Sequence, residues 1–238
     1  MPYLSIVIPA YNEEKKISKD IEEVYKYFSE NSVDGELIIV DDGSKDETFK
    51  TASEYLKKYL FLKIFTYKKN KGKGYAIKTG VLKAQGQYIL IADSGMCVPY
   101  NYTNTGIELL KKGADIAFGS RKIKDRQDTI LIKQPLYRRL GSKLFKFLIQ
   151  TFNIIPKGIE DTQCGFKLFK KDVGYKLFGE LITEKFMWDI EILRRANKVR
   201  YKVEHFPVTW SNDPDTRYRP FIGSFENLFQ IITIMFRT

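Results

Sequence analysis

The chain has 238 residues, 43% hydrophobic, 14% aromatic and 29% charged, which supplies enough apolar material for one large α/β core and excludes a disordered polyelectrolyte. Its 40 Lys and Arg outnumber its 29 Asp and Glu, for a formal charge of +11, which calls for a polyanionic partner: nucleic acid, an anionic membrane or a phosphorylated substrate. Two cysteines, Cys97 and Cys164, and the single histidine His205 exclude a disulfide framework and a clustered zinc site, and fit a reducing compartment.

Residues 4–9 form a strand-length apolar run ended by proline, without the basic flank and cleavage site of a signal peptide, so a cytoplasmic protein is expected. A helix follows from about residue 12, its apolar stripe set by Ile17, Ile21, Val24 and Phe28. Residues 37–40 read as the next buried strand. Ser44 and Glu47 have the spacing of a capping box for a second helix with Phe49, Ala52, Leu56 and Tyr59 facing inward. Residues 62–66 predict a third strand, 74–84 a third helix and 88–92 a fourth strand, the alternation of a Rossmann-like, mainly parallel sheet flanked by helices.

Further along, residues 115–119 predict a strand, and 122–134 a long charged loop of the kind that is more often functional than accidental. Leu136, Leu140, Leu144, Phe147 and Leu148 mark an amphipathic helix, residues 185–197 another, and 201–210 a late strand, with His205 expected to be packed. One catalytic domain is expected over 1–220. The apolar segment 221–238, flanked by Arg217, Arg219 and Arg237, reads either as an interfacial helix on anionic headgroups or as a last core helix. No stretch reaches the roughly 18 to 20 apolar residues that span a bilayer, so membrane contact is expected to be peripheral.

In open α/β sheets, ligands bind beyond the carboxyl ends of the strands. Three loops there carry polar chemistry. Pro9-Ala10-Tyr11-Asn12-Glu13-Glu14 and Asp41-Asp42-Gly43-Ser44 offer carboxylates to a base N–H and ribose hydroxyls, although the second is also an ordinary turn composition. Asn70-Lys71-Gly72-Lys73-Gly74 offers cations, open amides and a helix N-terminus to a diphosphate. It has neither the Walker spacing nor the third glycine of a dinucleotide fingerprint, since Ile77 stands there.

With Ala92-Asp93-Ser94, Gly119-Ser120-Arg121 and Asp161-Thr162-Gln163-Cys164-Gly165-Phe166-Lys167, these loops stand in the order of a known family. The chain resembles family 2 of the inverting glycosyltransferases, over nearly its whole length, and in particular the branch that glucosylates dolichyl or polyprenyl phosphate. The resemblance implies a GT-A fold and UDP-glucose as donor. It implies that Pro9, Ala10, Tyr11, Glu13, Asp41 and Asp42 hold the nucleoside, that Lys71, Gly72 and Ser94 lie at the diphosphate, and that Asp93 binds Mg2+ or Mn2+. Arg121, with Lys122, Lys124 and Arg126, is implied to grip a lipid phosphate acceptor.

Asp161 is left three roles: positioning the acceptor, acting as a base, or capping a turn. Trp188 is expected in the core and Asp189 facing the sugar. The chain departs from the family at Gly95, which stands where Asp-x-Asp has its second carboxylate. That departure keeps open a metal-independent relative or a non-catalytic nucleotide-sugar binder, beside a transferase acting on a glycan or other soluble acceptor. Nucleic acid is excluded as partner, because no aromatic-basic RNA module or recognition helix is present.

Overall fold

The computed structural model describes residues 1–122, 159, 161–211, 230, 233–234 and 236–237. Seven strands form one sheet in the order β3-β2-β1-β4-β6-β5-β7. β1 (Leu4–Ala10), β2 (Gly35–Asp41), β3 (Leu62–Thr66) and β4 (Tyr88–Ala92) run parallel. β6 (Phe166–Lys170) is antiparallel to both of its neighbours, β4 and β5 (Ile116–Ser120), and β7 (Val203–Pro207) lies parallel to β5.

Period-two alternation sends successive side chains of each strand to opposite faces. Leu4, Ile6 and Ile8 of β1 pack under α1 (Ile17–Glu30), α2 (Thr48–Ser53) and α4 (Tyr102–Lys111). Val7, with Ile38 and Val40 of β2, packs under α3 (Lys73–Lys83), α5 (Lys171–Gly179) and α6 (Trp188–Lys198). The central strands are therefore apolar on both faces, and the molecule is a three-layer α/β/α sandwich.

The strand order reverses at β1, which lies between β2 and β4. Pairing with β2 runs to Ala10↔Asp41, whereas pairing with β4 stops at Val7↔Ile91. Pro9, which has no amide hydrogen, falls in the stretch paired on one side only. The split this leaves at the carboxyl edge is the topological switch point where such sheets bind ligands.

β3 and β4 have the predicted bounds, and the α1 stripe of Ile17, Ile21, Val24 and Phe28 is buried. Three local expectations fail. α1 begins at Ile17, because Asn12 takes a left-handed φ of 57° and the Glu13 carbonyl accepts the Lys16 and Ile17 amides in a turn first. Ser44 caps no helix: its hydroxyl accepts the Asn12 amide at 2.9 Å, and α2 starts only at Thr48. Because α2 is just six residues, Phe49 and Leu56 fall off the buried face and are 43% and 42% exposed, while Ala52 and Tyr59 are buried.

His205 is exposed on β7 rather than packed. The predicted loop at 122–134, apart from Lys122, and the amphipathic helix after it lie outside the described residues, as do Lys124 and Arg126. Of the C-terminal segment, Gln230, Thr233, Ile234, Phe236 and Arg237 are described; all are helical, with Ile234 buried and Phe236 85% exposed. Among the described residues no helix is long and apolar enough to cross a membrane.

Candidate active site

The loops at the carboxyl edge are tied to one another in a continuous series. The first joins the second: the Asp42 amide donates to Ala10 O at 2.8 Å, and the Lys45 amide to Asn12 Oδ1 at 2.8 Å. The Glu13 amide donates to Thr48 Oγ1 at 2.7 Å, and the Glu13 carboxylate pairs with Lys16 at 2.5 Å. Ala10 is buried, while Pro9 and Tyr11 are half-buried.

The two aspartates of the second loop are buried and engaged. Asp41 accepts the Thr66 hydroxyl at 2.7 Å and the Ser44 amide at 3.2 Å. Asp42 is a hub that accepts Tyr67 Oη at 2.6 Å, Asn70 Nδ2 at 2.8 Å, and the Lys71 and Gly72 amides at 2.8 and 2.9 Å. Burial, with Asp42 beside it, pushes the Tyr67 phenol well above its ordinary pKa.

Several amides of the third loop are engaged within the protein. Lys71 and Gly72 give theirs to Asp42, while Gly74 and Tyr75 donate to Lys185 O at 3.0 Å and Glu184 O at 2.9 Å. Gly72 is required there: its φ is +111°, and a Cβ would lie 2.5 Å from Glu184 O. The Lys71 ammonium lies 4.1 Å from the Tyr75 ring centroid and donates to that phenol at 2.9 Å.

Lys73, which sequence reasoning passed over, reaches the fourth loop instead and pairs with Asp93 Oδ1 at 2.6 Å. Burial opposes its charge, but Asp93 outweighs burial and holds the ammonium above its ordinary pKa. Asp93 also rests against the sixth strand: its amide donates to Gly165 O at 3.1 Å, and a Cβ on Gly165 would fall 2.0 Å from Asp93 Oδ2. Only glycine fits at 165 while Asp93 keeps this position.

Ser94 turns the other way. Its hydroxyl donates at 2.6 Å to Asp20 Oδ2 on α1, and the Gly95 amide donates to Asp20 Oδ1 at 2.9 Å. Asp20 is fully buried, and burial raises its pKa to about 6 against the pull of those two donors. Nothing in the local sequence marks Asp20, because a single acid inside an amphipathic helix reads as solvated surface.

The residues expected at the acceptor, Arg121 and Asp161, meet beside β5 and β6. Arg121 donates to Asp161 through Nε at 2.8 Å, Nη2 at 2.7 Å and its own amide at 2.9 Å. Its guanidinium carbon lies 5.5 Å from the Trp210 ring centroid. Burial raises a carboxyl, yet Arg121 holds Asp161 below the ordinary carboxylate range. So engaged, Asp161 is a poor proton acceptor, whereas its bonds to both the side chain and the amide of Arg121 fit a positioning role and a structural one alike. Lys122 is exposed beside this pair, and its amide donates to Ser120 Oγ at 3.4 Å.

Trp188 is buried against Phe178. Asp189 is buried next to it, and burial raises its carboxyl to about 6, opposed by Lys167 and Lys73.

A divalent ion on a diphosphate needs oxygen ligands. Position 95 provides an amide in place of a carboxylate, and among the described residues no three His, Cys, Asp or Glu side chains gather. Asp93 is one carboxylate at the split edge. Magnesium is commonly held by one or two carboxylates together with substrate phosphates and waters, so these residues fit an ion that arrives with the diphosphate.

The sequence model for the family described as glycosyl transferase family 2 matches residues 5–178. The chain belongs to that family. This glycosyltransferase is 32% identical to a dolichyl-phosphate beta-glucosyltransferase of Dictyostelium discoideum, over 99% of its own length and 74% of the relative's. It is 33% identical to the Homo sapiens protein of the same name, over 92% and 70% of the two chains. Among solved structures, glucosyl-3-phosphoglycerate synthase from Mycobacterium tuberculosis, in complex with Mn2+, UDP and glucosyl-3-phosphoglycerate, superposes with a TM-score of 0.71 at 17% identity. That match covers 98% of the glycosyltransferase and 80% of the other chain, and the shared architecture is the GT-A fold.

Proposed function

We propose that this glycosyltransferase moves glucose from UDP-glucose to a dolichyl or other polyprenyl phosphate, inverting the anomeric configuration. The observation that carries the reading is the meeting of two charged pairs, Lys73–Asp93 and Arg121–Asp161, on one sheet edge with Gly165 and Asp161 four residues apart between them. In this reading Lys73 would face the donor's diphosphate and Arg121 the acceptor's phosphate. The names of the relatives supply the acceptor class and the sugar.

The acceptor oxygen attacks the anomeric carbon in line, and UDP leaves from the opposite side. Positive charge grows on the sugar ring while negative charge grows on the departing diphosphate. Lys73 is placed to offset the latter, and a fixed cation in a partly dehydrated cleft acts with little reorganisation. Mg2+ or Mn2+, held by Asp93 and the donor's own phosphates, would supply further charge neutralisation at the leaving group.

On the other side, the fork of Arg121 is held rigid by Asp161 and by Trp210, and its remaining donors suit a phosphate. A lipid monophosphate, with its second pKa of about 6, is already largely ionised at neutral pH. The reaction therefore needs no strong base, in keeping with the engaged state of Asp161.

The excess of basic residues suits the cytoplasmic face of an anionic membrane, where the protein would work as a peripheral enzyme. The test is incubation of the purified protein with labelled UDP-glucose, polyprenyl phosphate and Mg2+ or Mn2+, followed by lipid extraction. Label in the lipid phase, lost on omitting the lipid phosphate, is expected. Transfer to water-soluble glycans with none to lipid would replace the acceptor, and tight UDP binding without any product would leave a binding protein.

A further inference from the structure

Lys167 has no part in the reaction as drawn, yet it is a lysine with 1% of its surface exposed. It lies on β6 between Ile91, near the carboxyl end of β4, and Phe118, in the middle of β5. Its ammonium is 5.1 Å from the Phe118 ring centroid and 5.0 Å from that of Trp188, and it donates to the carbonyl of Cys164. Burial lowers its pKa, opposed by Asp189 first and by Asp93 and Asp161 more weakly. Replacing Lys167 alone would leave the Cys164 carbonyl without its donor and the buried Asp189 without its nearest cation, so the lysine is tied to the groups around it rather than being inert filling.

The bond to Cys164 holds the ammonium against the 161–165 turn, next to its Gly165 end. One end of that turn is Asp161, which grips Arg121 through three hydrogen bonds. The other end is Gly165, which takes the Asp93 amide and leaves room for the Asp93 carboxylate. Accordingly, the turn is a short strut between the donor-side and acceptor-side groups.

We propose that Lys167 is a positioning residue that sets the spacing between Asp93 and Arg121 by clamping the 161–165 turn through the Cys164 carbonyl. In-line transfer depends on that spacing, because a misplacement of about 1 Å can cost about 100-fold in rate. The proposal rests on the proposed transfer reaction for its kinetic consequence, whereas its structural consequence is independent of it.

The test compares wild type, Lys167→Met and Lys167→Gln. Met keeps the volume without a donor, and Gln keeps a donor for Cys164 without the charge. Amide hydrogen exchange should quicken at least about tenfold in Lys167→Met at both Asp93 and Arg121, with the β1 and β2 amides unchanged.

UDP binding by calorimetry should stay within about threefold of wild type, while kcat for transfer to polyprenyl phosphate falls about 100-fold. Lys167→Gln should recover at least about tenfold of that loss, since the hydrogen bond and not the charge is the clamp. Unchanged exchange at either amide overturns the proposal, as does a Gln variant no better than Met. A Met variant that fails to fold makes the charge part of the core and overturns it equally. If wild type transfers nothing to lipid, the reaction is misassigned, and the exchange data alone decide the role of Lys167.

Discussion

The two halves of the sheet hold their loops in place by different means. In the half formed by β3, β2, β1 and β4, buried carboxylates accept backbone amides and hydroxyls: Asp42 from Lys71 and Gly72, Asp41 from Ser44 and Thr66, Asp20 from Ser94 and Gly95. In the half formed by β6, β5 and β7, charge meets charge: Arg121 with Asp161, and Lys170 with Asp115 at 3.1 Å. Acids in the first half thus hold backbone as well as facing the edge, beside one charge pair, Lys73 with Asp93, whereas in the second half the ion pair of Arg121 with Asp161 also builds the loop.

The sharpest way to break this contrast is Asp42→Ala. It strands two backbone amides, an amide side chain and a phenol, and unfolding in urea should show a loss of about 4 kcal/mol, since each bond to a charged group contributes about 1.5 to 3 kcal/mol without full additivity. A loss below about 1 kcal/mol would mean that the hub is solvated in solution.

Lys73→Met comes next. Removing one preorganised cationic donor at the leaving group should lower kcat by about 100- to 1,000-fold while leaving the urea midpoint near wild type. An unaltered rate would move the donor contact elsewhere.

The two halves should also respond oppositely to pH. Asp20, raised to about 6 when folded, stabilises the fold below its unfolded pKa and loses that contribution as pH climbs through the folded value. Asp161, lowered when folded, does the reverse: it contributes above its unfolded pKa, and the contribution fades as pH falls through the folded value. Asp20→Asn should therefore gain up to about 3 kcal/mol relative to wild type between pH 4 and pH 8, whereas the deficit of Asp161→Asn should stay nearly constant over that interval and shrink only as pH falls below about 4. Parallel urea curves for the two variants would erase the distinction.

The smallest effect is expected for Lys71→Ala. Its ammonium rests against Tyr75, a contact of roughly 0.5 to 1 kcal/mol, so transfer kinetics should change by less than about fivefold. A loss as large as that of Lys73→Met would return Lys71 to the diphosphate.

The sequence already disclosed the strands other than β6, the α1 stripe and the set of loops that form the edge, because each depends on local periodicity or on which residues end a strand. It did not disclose which lysine of Asn70-Lys71-Gly72-Lys73-Gly74 faces Asp93. Residues two apart at a helix start point in different directions, and the choice is fixed by Asp42 and by the carbonyls of 184 and 185, distant in the chain. Asp20 was invisible for the same reason, since its partners lie about 75 residues away. The capping-box reading of Ser44 failed because a tertiary donor, the Asn12 amide, claimed the hydroxyl first. The direction of β6 was also hidden, as strand composition carries no sign of orientation.

The grip of Arg121 on Asp161 joins positions 40 apart in the chain. That tie fixes where the chain leaves β5 relative to where it enters β6. Because the entropy of closing a loop rises by only about 0.6 kcal/mol for each doubling of its length, the tie would hold almost as well with a different number of residues between the two positions.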